Sequence, residues 1–262
     1  MTSKPPMMSR STGETLRRPG SSGSGQDVRW PNGQVTRRPG SESETRRLTS
    51  WTLPAESRYR GWRLGVKRSI DIVLAGIALI VLVPVLLVLA LGVKASSPGP
   101  LLFSQSRVGK GGRLFPMYKF RSMFPDAEAR LIADPELFER YVANNYKLPE
   151  SEDPRVTPLG RFLRKSSLDE LPQFWSVLRG HMSLVGPRPV VPHELESERR
   201  NDGYVYARPG ITGSWQVEAR SDVGYPERCE FDNEYLESWS LWRDFSLLVR
   251  TVPAVLAGRG AH

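Results

Sequence analysis

The sequence has little of the chemistry that disulfides and metal clusters require. Its 262 residues include one cysteine, Cys229, and three histidines. One thiol cannot form an internal disulfide or a cysteine-based zinc cluster, and three scattered histidines leave few ligands for a histidine-built metal site. GKGG at residues 109–112 lacks the Gly-Lys-Ser/Thr ending of a Walker motif, and no GxGxxG follows a predicted strand. The sequence therefore excludes these classes, and its cysteine usage fits a reducing compartment.

Acidic residues and core-forming side chains are scarce at the start of the chain. Residues 1–69 hold 14 Lys or Arg against 5 Asp or Glu, which accounts for the whole net charge of +9. Serine, glycine, proline, threonine and arginine dominate up to about Arg60, and this composition predicts a disordered basic tail over residues 1–60. Because the positive excess lies in this tail, we expect no nucleic-acid partner, while contact of the tail with anionic lipid headgroups stays open.

One long stretch of the chain has no charged residue. From Ile72 to Val93 it reads IVLAGIALIVLVPVLLVLALGV, which is 22 residues. A straight helix of this length reaches ~33 Å, about the thickness of the hydrocarbon layer of a membrane. The alternative is a helix enclosed in a protein core, and a single small domain rarely encloses so long an apolar run. We therefore predict a membrane helix and its entry at residues 61–96.

The middle and the flanks of this stretch bear on its topology. Pro84 removes an amide donor and disfavours the helical conformation of Val83, which predicts a proline-broken helix whose halves are too short to span. Positive charge flanks both ends, and neither side is expected to leave the cytoplasm. A re-entrant helix that bends at Pro84 satisfies both flanks, and a spanning helix with a proline kink is the alternative. The flanking cations are Arg58, Arg60, Arg63, Lys67 and Arg68 before the stretch, and Lys94, Arg107, Lys110 and Arg113 after it.

Residues 97–262 predict an α+β, mostly helical cytosolic domain with a small β-hairpin. LLFSQSRV and LFPMYKFRSM flank the glycine-rich GKGGR and predict two strands around a turn. Helices are expected near Asp126 to Tyr146 and from about Asp232. Aromatic side chains recur at helical spacing near the C-terminus, where they fit either C-terminal membrane-interfacial helices or an ordinary core stripe. These residues are Tyr235, Trp239, Trp242 and Phe245.

An acidic pair lies at the centre of SSLDELPQFW, residues 166–175. Asp169 can be the N-cap of a helix, with Glu170 in its first turn and Pro172 at a position that needs no intrahelical donor. This structural reading is complete by itself, and the alternative is that the pair performs chemistry. The buried face of the helix would consist of Leu171, Phe174, Trp175 and Leu178.

Cations before and after the pair favour a phosphate site. The prolines of GPRP, residues 186–189, hold Arg188 in an extended backbone, which lowers the entropy lost when its guanidinium binds a phosphate. A carboxylate can attack a phosphate as a nucleophile only where cations hold the phosphate oxygens. Two adjacent carboxylates in a site without His or Cys suit Mg²⁺. The other candidate cations are Arg161, Arg164, Lys165, Arg208 and Arg220.

Eight motifs follow one another in the order of a known family: KRSID, SPGP, QSRVGKGG, YKFRSM, DPRVTPLGRFLRKSSLDELPQFW, MSLVGPRP, RPGITGSWQV and WSLWRDF. With them, residues 62–262 closely resemble the bacterial sugar transferases known as monotopic polyprenyl-phosphate phosphoglycosyl transferases. The resemblance implies transfer of a sugar-1-phosphate, glucose or galactose by analogy, from a UDP-sugar to undecaprenyl phosphate. UMP would leave, and an aspartate would hold the phospho-sugar covalently between the two steps.

The resemblance also implies roles for individual residues. Asp169 and Glu170 would be catalytic and would bind Mg²⁺, with Asp169 as the nucleophile. The substrate-binding residues would be Lys119, Arg164, Arg188, Arg220 and Asp232. The membrane-helix motif would consist of Lys67, Arg68, Asp71 and Pro84, with an Asp–Arg pair that steadies the bent helix. Val83 stands where relatives often have the serine that precedes the helix-breaking proline, so the chain departs from the family pattern at the predicted bend.

The implied location is the cytoplasmic face of the bacterial inner membrane, at the first membrane step of exopolysaccharide, capsule or other glycoconjugate synthesis. The partners would be a UDP-sugar, undecaprenyl phosphate and membrane lipids, and a homo-oligomer stays open. Three alternatives remain at this point. They are a membrane-anchored scaffold with a basic arm, a hydrolase that cleaves the nucleotide sugar in water, and the same transfer from a UDP-N-acetylhexosamine.

Overall fold

The computed structural model describes residues 27–29, 35–37, 53–54, 57–144, 148–149, 151–197, 203–218 and 227–256. The chain divides into two units, residues 1–40 and residues 41–262. In the first unit, β1 (Asp27–Arg29) pairs antiparallel with β2 (Val35–Arg37). The other residues among the first 52 lie outside the described part of the chain, so the disorder of the tail stays a prediction.

The second unit includes residues that we had assigned to the tail. Ser57 and Tyr59 are buried, and Ser57 Oγ donates a hydrogen bond to the carbonyl of Leu236 at 2.6 Å. The Tyr59 ring packs edge-on against Trp239, with 5.2 Å between ring centroids. An aromatic ring buries enough apolar area to hold a short stretch of chain on a core. The folded unit therefore starts before residue 60, earlier than the composition suggested.

The apolar stretch lies in α1 (Trp62–Ser96), one helix of 35 residues. It is long and apolar enough to cross a membrane, and only 11 % of its most apolar stretch is buried. The helix continues through Pro84, so the prediction that the proline breaks it into two helices is wrong. A proline removes one backbone hydrogen bond and can bend a helix without ending it.

Both ends of α1 contact the same folded unit. Near the start, Ala75 is fully buried in a cluster with Val177 and Met182. Near the end, Val93 is fully buried in a cluster with Leu163. The guanidinium of Arg121 then donates to the carbonyls of Val93 and Ser97 at 3.2 and 2.6 Å. The exposed middle of the helix lies between these two attachments.

The predicted hairpin is confirmed. Strands β3 (Leu102–Val108) and β4 (Leu114–Phe120) pair antiparallel, with Leu102 opposite Phe120 and Val108 opposite Leu114. The turn between them is a 3₁₀ turn, Lys110–Gly112, in which Gly111 has a φ of 71° that favours glycine. A further parallel pair, β5 (Ser183–Val185) with β6 (Gly210–Thr212), was not predicted.

The remaining described elements are short helices, as an α+β and mostly helical domain requires. The helix expected near Asp126 to Tyr146 is two helices, because the side chain of Asp134 caps a new helix by accepting a hydrogen bond from Leu137 N at 3.0 Å. The helix expected from about Asp232 begins at Glu227. The helices are α2 (Ala127–Ile132), α3 (Pro135–Ala143), α4 (Pro158–Lys165), α5 (Gln173–Leu178), α6 (Pro192–Ser197), α7 (Ser214–Glu218), α8 (Glu227–Glu237) and α9 (Leu241–Leu256).

The aromatic residues near the C-terminus divide between the core and the surface. Tyr235 and Trp239 are buried in the main core, which agrees with the core stripe and not with the membrane-interfacial alternative. Trp242 and Phe245 are 74 % and 54 % exposed on α9. Tyr235 on α8 and Trp239 in the turn after it face the core, whereas Trp242 and Phe245 on α9 face outwards. Of these four aromatic residues, Trp242 and Phe245 are the two exposed enough to contact lipid.

Candidate active site

The acidic pair lies in a tight turn between α4 and α5. Ser167 adopts a left-handed conformation, with φ of 56°, which is uncommon for a residue other than glycine. The chain then forms a 3₁₀ turn, Leu168–Glu170, and α5 begins only at Gln173. Asp169 is therefore not an N-cap, and the structural reading of the pair as a helix start is wrong. Strained backbone of this kind is found disproportionately at functional sites.

The later start of α5 also changes which side chains it buries. Gln173, Ser176 and Val177, spaced three and four residues apart, face the core. Trp175 is 50 % exposed, so its predicted place on the buried face is wrong. Asp169 itself is only 6 % exposed. The structure thus buries the carboxyl group of Asp169 within the turn Leu168–Glu170.

Lys119 on β4 connects the hairpin to the acidic pair. Its Nζ lies 2.5 Å from Oε1 of Glu170 and 3.9 Å from Oδ2 of Asp169. One ammonium therefore contacts both carboxylates, while the substrate-binding role of Lys119 stays a prediction. The pairing is long-range, and it depends on the hairpin register that aligns Lys119 opposite Phe103.

The two neighbouring acids have opposite pKa shifts. Burial raises the pKa of Asp169 to about 6, and Glu170 adds to the rise, while Lys119 and Arg164 oppose it. Burial also acts on Glu170, but the charges of Lys119, Arg188 and Arg107 hold the pKa of Glu170 below its usual range. Near neutral pH, Glu170 is ionised, and Asp169 is ionised in most molecules. Asp169 can therefore act as an anionic nucleophile without a separate base.

Arg164 is positioned by close packing of α4. A Cβ on Gly160 would come within 1.9 Å of the carbonyl oxygen of Ser122, so only glycine lets α4 approach this loop. Arg164 Nε then donates to Ser122 Oγ at 2.9 Å. From this position its charge lowers the pKa of Asp169. The structure thus places Arg164 beside the pair, as predicted.

Arg188 and Arg107 lie on the Glu170 side of the pair. Arg188 is exposed, and its Cζ lies 5.4 Å from the centroid of the Trp215 ring. Arg107 donates to the carbonyl of Pro189 at 3.1 Å and to Gln105 Oε1 at 2.7 Å. The sequence identifies Arg107 only as one of the charges that flank the apolar stretch. Strand alternation, which puts Gln105 and Arg107 on one face of β3, was the available signal.

Two predicted substrate-binding residues are less fully placed. Arg220 lies outside the described residues. Asp232 is buried on α8, which packs against α7 and the turn Gly203–Tyr206. The roles assigned to both residues stay predictions.

The donor set of the pair suits one binding mode of Mg²⁺. Among the described residues, no group of three or more His, Cys, Asp or Glu side chains could hold a metal ion. Mg²⁺ is, however, commonly held by one or two carboxylates together with substrate phosphates. Asp169 and Glu170 fit that mode, provided that Lys119 shares Glu170 or moves towards the phosphate.

The membrane-helix motif contacts the segment that leads to Arg188. Lys67 Nζ lies 2.6 Å from Oδ2 of Asp244 and donates to the carbonyl of Val185 at 3.0 Å. Asp71 accepts hydrogen bonds from Ser183 Oγ at 2.8 Å and from the amide of Leu184 at 3.1 Å. These contacts tie the start of α1 to β5, which is followed directly by GPRP.

The expected Asp–Arg pair in this motif is wrong. Arg68 donates to the carbonyls of Val177 and Leu178, at 2.7 and 2.9 Å, and not to Asp71. The backbone of α5 and β5 supplies better-placed partners for both side chains. Asp71 and Arg68 therefore anchor α1 to two elements of the domain rather than to each other.

Two carboxylates that share a lysine among arginines define a site suited to phosphate groups. The family model for bacterial sugar transferases matches residues 62–258. The chain therefore belongs to the bacterial sugar transferase family. It is 44 % identical over 201 residues to the undecaprenyl-phosphate galactose phosphotransferase of Salmonella typhimurium, which covers 75 % of this chain and 42 % of that protein.

Two further relatives frame the comparison. The exopolysaccharide production protein ExoY of Rhizobium meliloti is 41 % identical over 201 residues, covering 75 % of this chain and 88 % of ExoY. The UDP-glucose:undecaprenyl-phosphate glucose-1-phosphate transferase of Escherichia coli is 41 % identical over 206 residues, covering 75 % of this chain and 41 % of that protein. The chain thus spans about two fifths of the Salmonella and Escherichia relatives and most of ExoY.

Proposed function

We propose that this protein is a phosphoglycosyl transferase that moves a sugar-1-phosphate from a UDP-sugar to undecaprenyl phosphate and releases UMP. The observation that carries the proposal is the buried carboxylate of Asp169 beside the Lys119–Glu170 pair. Burial of a carboxyl group disfavours its ionised form and so costs free energy, and a turn with a purely structural role has no need of such a group. The names of the relatives, which act on undecaprenyl phosphate, agree with this reading.

In the first step, a carboxylate oxygen of Asp169 attacks the β-phosphorus of the UDP-sugar. A new oxygen–phosphorus bond forms, the bond from that phosphorus to the oxygen bridging the α-phosphate breaks, and UMP leaves with the bond's electron pair. The sugar phosphate remains on Asp169. Since Asp169 is the anion, no proton has to be removed before the attack.

The surrounding cations make this attack feasible. Two anions repel each other, so phosphate oxygens must be held by positive groups when the carboxylate approaches. Lys119 lies between the carboxylates, and Arg164 lies on the Asp169 side. Arg188, exposed and on the Glu170 side, is free to turn its guanidinium towards the nucleotide phosphates.

Mg²⁺ belongs to the proposal as a cofactor. Asp169 and Glu170 would hold it together with the phosphates, and a bound divalent ion would supply positive charge that stabilises the leaving phosphate. Glu170 suits this task because nearby cations already keep its pKa low. The chain's own contribution is to keep one carboxylate ionised and the other available for attack.

In the second step, an oxygen of undecaprenyl phosphate attacks the same phosphorus and the Asp169 carboxylate leaves. The product is an undecaprenyl diphosphate sugar, and the enzyme returns to its first state. This step requires the site to lie at a membrane surface. The attachment of both ends of α1 to one folded unit supports a re-entrant helix, because a spanning helix would deliver its ends to opposite sides.

The remaining parts of the proposal are the donor sugar and the location. Glucose or galactose is the proposed sugar, since relatives of both kinds match the chain about equally well. The cytoplasmic face of the inner membrane is the proposed location, where a soluble nucleotide sugar meets a lipid phosphate. The basic residues on both flanks of α1 support this placement. Relatives of the ExoY type support a role in exopolysaccharide synthesis.

The test is UMP release by the purified protein with Mg²⁺, undecaprenyl phosphate and either UDP-glucose or UDP-galactose. Asp169→Asn should lower turnover at least about 1,000-fold, because the amide is a poor nucleophile. Asp126→Asn, which removes an exposed carboxylate, is the matched control and should leave turnover unchanged. Full activity of Asp169→Asn would contradict the proposal, and so would continuous UMP release without the lipid acceptor.

A further inference from the structure

A second group of cations lies at the start of α1. Three of them come from separate parts of the chain: Arg68 from α1, Lys110 from the hairpin turn and Arg208 from the segment before β6. They do not include the cations that surround the acidic pair. The three line one pocket, together with Tyr59, Leu64, Lys67, Asp71 and Ser183.

The positive charge of this pocket is not balanced. Lys67 pairs with Asp244. Asp71 accepts hydrogen bonds from neutral groups of β5 and keeps its charge, which offsets only one of the three cations. Among the described residues, no carboxylate oxygen lies within 4.0 Å of a side-chain nitrogen of Arg68, Lys110 or Arg208. Partial burial and the charge of Arg208 lower the pKa of Lys110, as expected for an ammonium with a cation beside it.

Backbone carbonyls fix two of these side chains without neutralising them. Arg68 donates to the carbonyls of Val177 and Leu178, and Arg208 Nε donates to the carbonyl of Gly180 at 2.9 Å. Gly180 has a φ of 82°, and a Cβ there would lie 3.4 Å from Arg68 Nη2. The guanidiniums are thus held in place before any ligand arrives. Such preorganisation lowers the entropy lost on binding an anion.

The pocket lies where α1 becomes apolar. Leu64, Lys67 and Arg68 belong to the first two turns of the helix, and the neighbouring Trp62 is 74 % exposed. Ile70 and Ile72, the next exposed apolar residues, are 40 % and 43 % exposed. In a membrane helix, a tryptophan followed by exposed apolar residues marks the headgroup level. An anion that reaches this pocket therefore has lipid phosphates as its nearest source.

The pocket has a volume of about 10 Å³, enough for about one water, so a larger group would bind at its opening, where Lys110 is exposed. We propose that the cations at this opening bind the phosphate of an anionic phospholipid at the membrane surface and so fix the depth at which α1 enters. The assignment rests on the proposed membrane placement of α1, not on the proposed transfer reaction. The phosphodiester would contact the ammonium of Lys110 and the two Nη nitrogens of Arg208, which have no hydrogen-bond acceptor among the described residues. Charge-assisted contacts of this kind are the strong ones in phosphate recognition.

Native mass spectrometry of the detergent-purified full chain, titrated with phosphatidylglycerol, tests the proposal. The wild type should bind phosphatidylglycerol more tightly than phosphatidylcholine. Lys110→Gln should weaken phosphatidylglycerol binding about tenfold, since one charge-assisted contact is lost. Lys110 is suited to the test because its side chain has no hydrogen bond to any described residue. Arg113→Gln removes an exposed charge next to the same turn and is the matched control.

Equal affinity of the wild type and Lys110→Gln for phosphatidylglycerol would overturn the proposal. A parallel titration with undecaprenyl phosphate separates the two lipid sources. Tighter binding of that lipid, with the same loss in Lys110→Gln, would assign the pocket to the acceptor and would also overturn the phospholipid assignment. No UDP-sugar is present, so failure of the transfer reaction would appear only in the separate UMP assay. Flotation of each variant with liposomes shows independently whether α1 enters a membrane.

Discussion

Two lysine–carboxylate contacts of nearly equal length lie in different parts of this protein. Lys67 and Asp244 meet at 2.6 Å at the start of α1, and Lys119 and Glu170 meet at 2.5 Å in the candidate active site. The side chains of the first pair are 7 % and 10 % exposed, and those of the second are 24 % and 31 % exposed. Distance alone therefore does not distinguish a structural pair from a catalytic one.

The two contacts differ in how many other partners they have. Asp244 also accepts hydrogen bonds from the Tyr235 hydroxyl at 2.7 Å and from Trp239 Nε1 at 3.2 Å. Lys119 instead lies close to a second carboxylate, Asp169. A buried ion pair whose groups have all their hydrogen-bond partners, here called saturated, is rigid. The ammonium of a lysine shared by two carboxylates can instead move to contact an incoming phosphate.

The largest expected effect is on stability, at the saturated pair. Lys67→Met leaves the Asp244 carboxylate buried without its cation, and the free energy of unfolding should fall by about 3–5 kcal/mol. Chemical unfolding in detergent, followed by tryptophan fluorescence, measures this loss. The double variant Lys67→Met/Asp244→Leu should recover only part of it, because neither charge remains but the Tyr235 hydroxyl and Trp239 Nε1 lose their buried acceptor. A loss below about 1 kcal/mol in the single variant would show that the pair is not saturated in solution.

The corresponding change at the open pair should affect catalysis and spare stability. Lys119→Met should lower UMP release by about 100- to 1,000-fold, since a group that holds phosphate oxygens is lost. Its free energy of unfolding should change by less than about 1 kcal/mol, because the Lys119–Glu170 contact is partly solvated. Equal behaviour of Lys119→Met and Lys67→Met in the two assays would remove the distinction between the pairs.

The buried nucleophile should reduce stability in the protein without substrate. Asp169 has a pKa of about 6 in the fold against 3.8 ordinarily, so the folded state binds more protons between these values. The free energy of unfolding then falls as the pH rises through that window. Asp169→Asn removes the penalty and should be more stable than the wild type at pH 7, by up to about 3 kcal/mol. The difference should disappear below about pH 4, and a constant difference at all pH values would contradict the burial argument.

The same pKa predicts an acid limb in the first chemical step. Only ionised Asp169 attacks, so the rate of single-turnover UMP release at low UDP-sugar should fall about tenfold per pH unit well below 6. Rapid quenching between pH 4.5 and 7.5 measures it. Lys119→Met should move the limb to higher pH, because Lys119 lowers the pKa of Asp169. A flat profile over this range would exclude Asp169 as the titrating group.

The smallest expected effect concerns Arg107. Its charge helps to lower the pKa of Glu170, and its guanidinium donates to the carbonyl of Pro189, the residue that follows Arg188. Arg107→Gln should raise the KM for the UDP-sugar by roughly tenfold at most, with little change in kcat. This is the effect expected when one hydrogen bond that positions a substrate-binding segment is lost. Arg113→Gln is the control of equal charge on the same hairpin. A change in kcat alone would assign Arg107 to the chemical step instead.

Local signals in the sequence predicted the local structure. The hairpin followed from the two strand-like segments around the glycine-rich GKGGR, and the long apolar helix followed from its uncharged stretch. The pairing of β5 with β6 could not be predicted in this way, because it joins strands from distant segments, and the close approach of Gly186 and Gly210 that permits it leaves no periodic pattern. The exposure of Trp175 depended on where α5 begins, which the proline alone did not locate.

For the candidate site, the sequence identified which residues take part but not which of them contact each other. Asp169, Glu170 and Lys119 were identified, and the structure brings them together. The partner of Lys67 is Asp244, 177 residues away, and no spacing in the sequence connects them. Arg107 was identified as a cation that follows the apolar stretch, and its contact with Pro189, 82 residues away, could not be predicted from spacing either.

The most direct test of the account is the mass of the intact protein after incubation with UDP-sugar and Mg²⁺ in the absence of undecaprenyl phosphate. The account predicts an added hexose phosphate on the wild type, located on Asp169 by peptide mapping and released when the lipid acceptor is added. Asp169→Asn should remain unmodified. An unmodified wild type that still forms lipid-linked product at full rate would contradict the account.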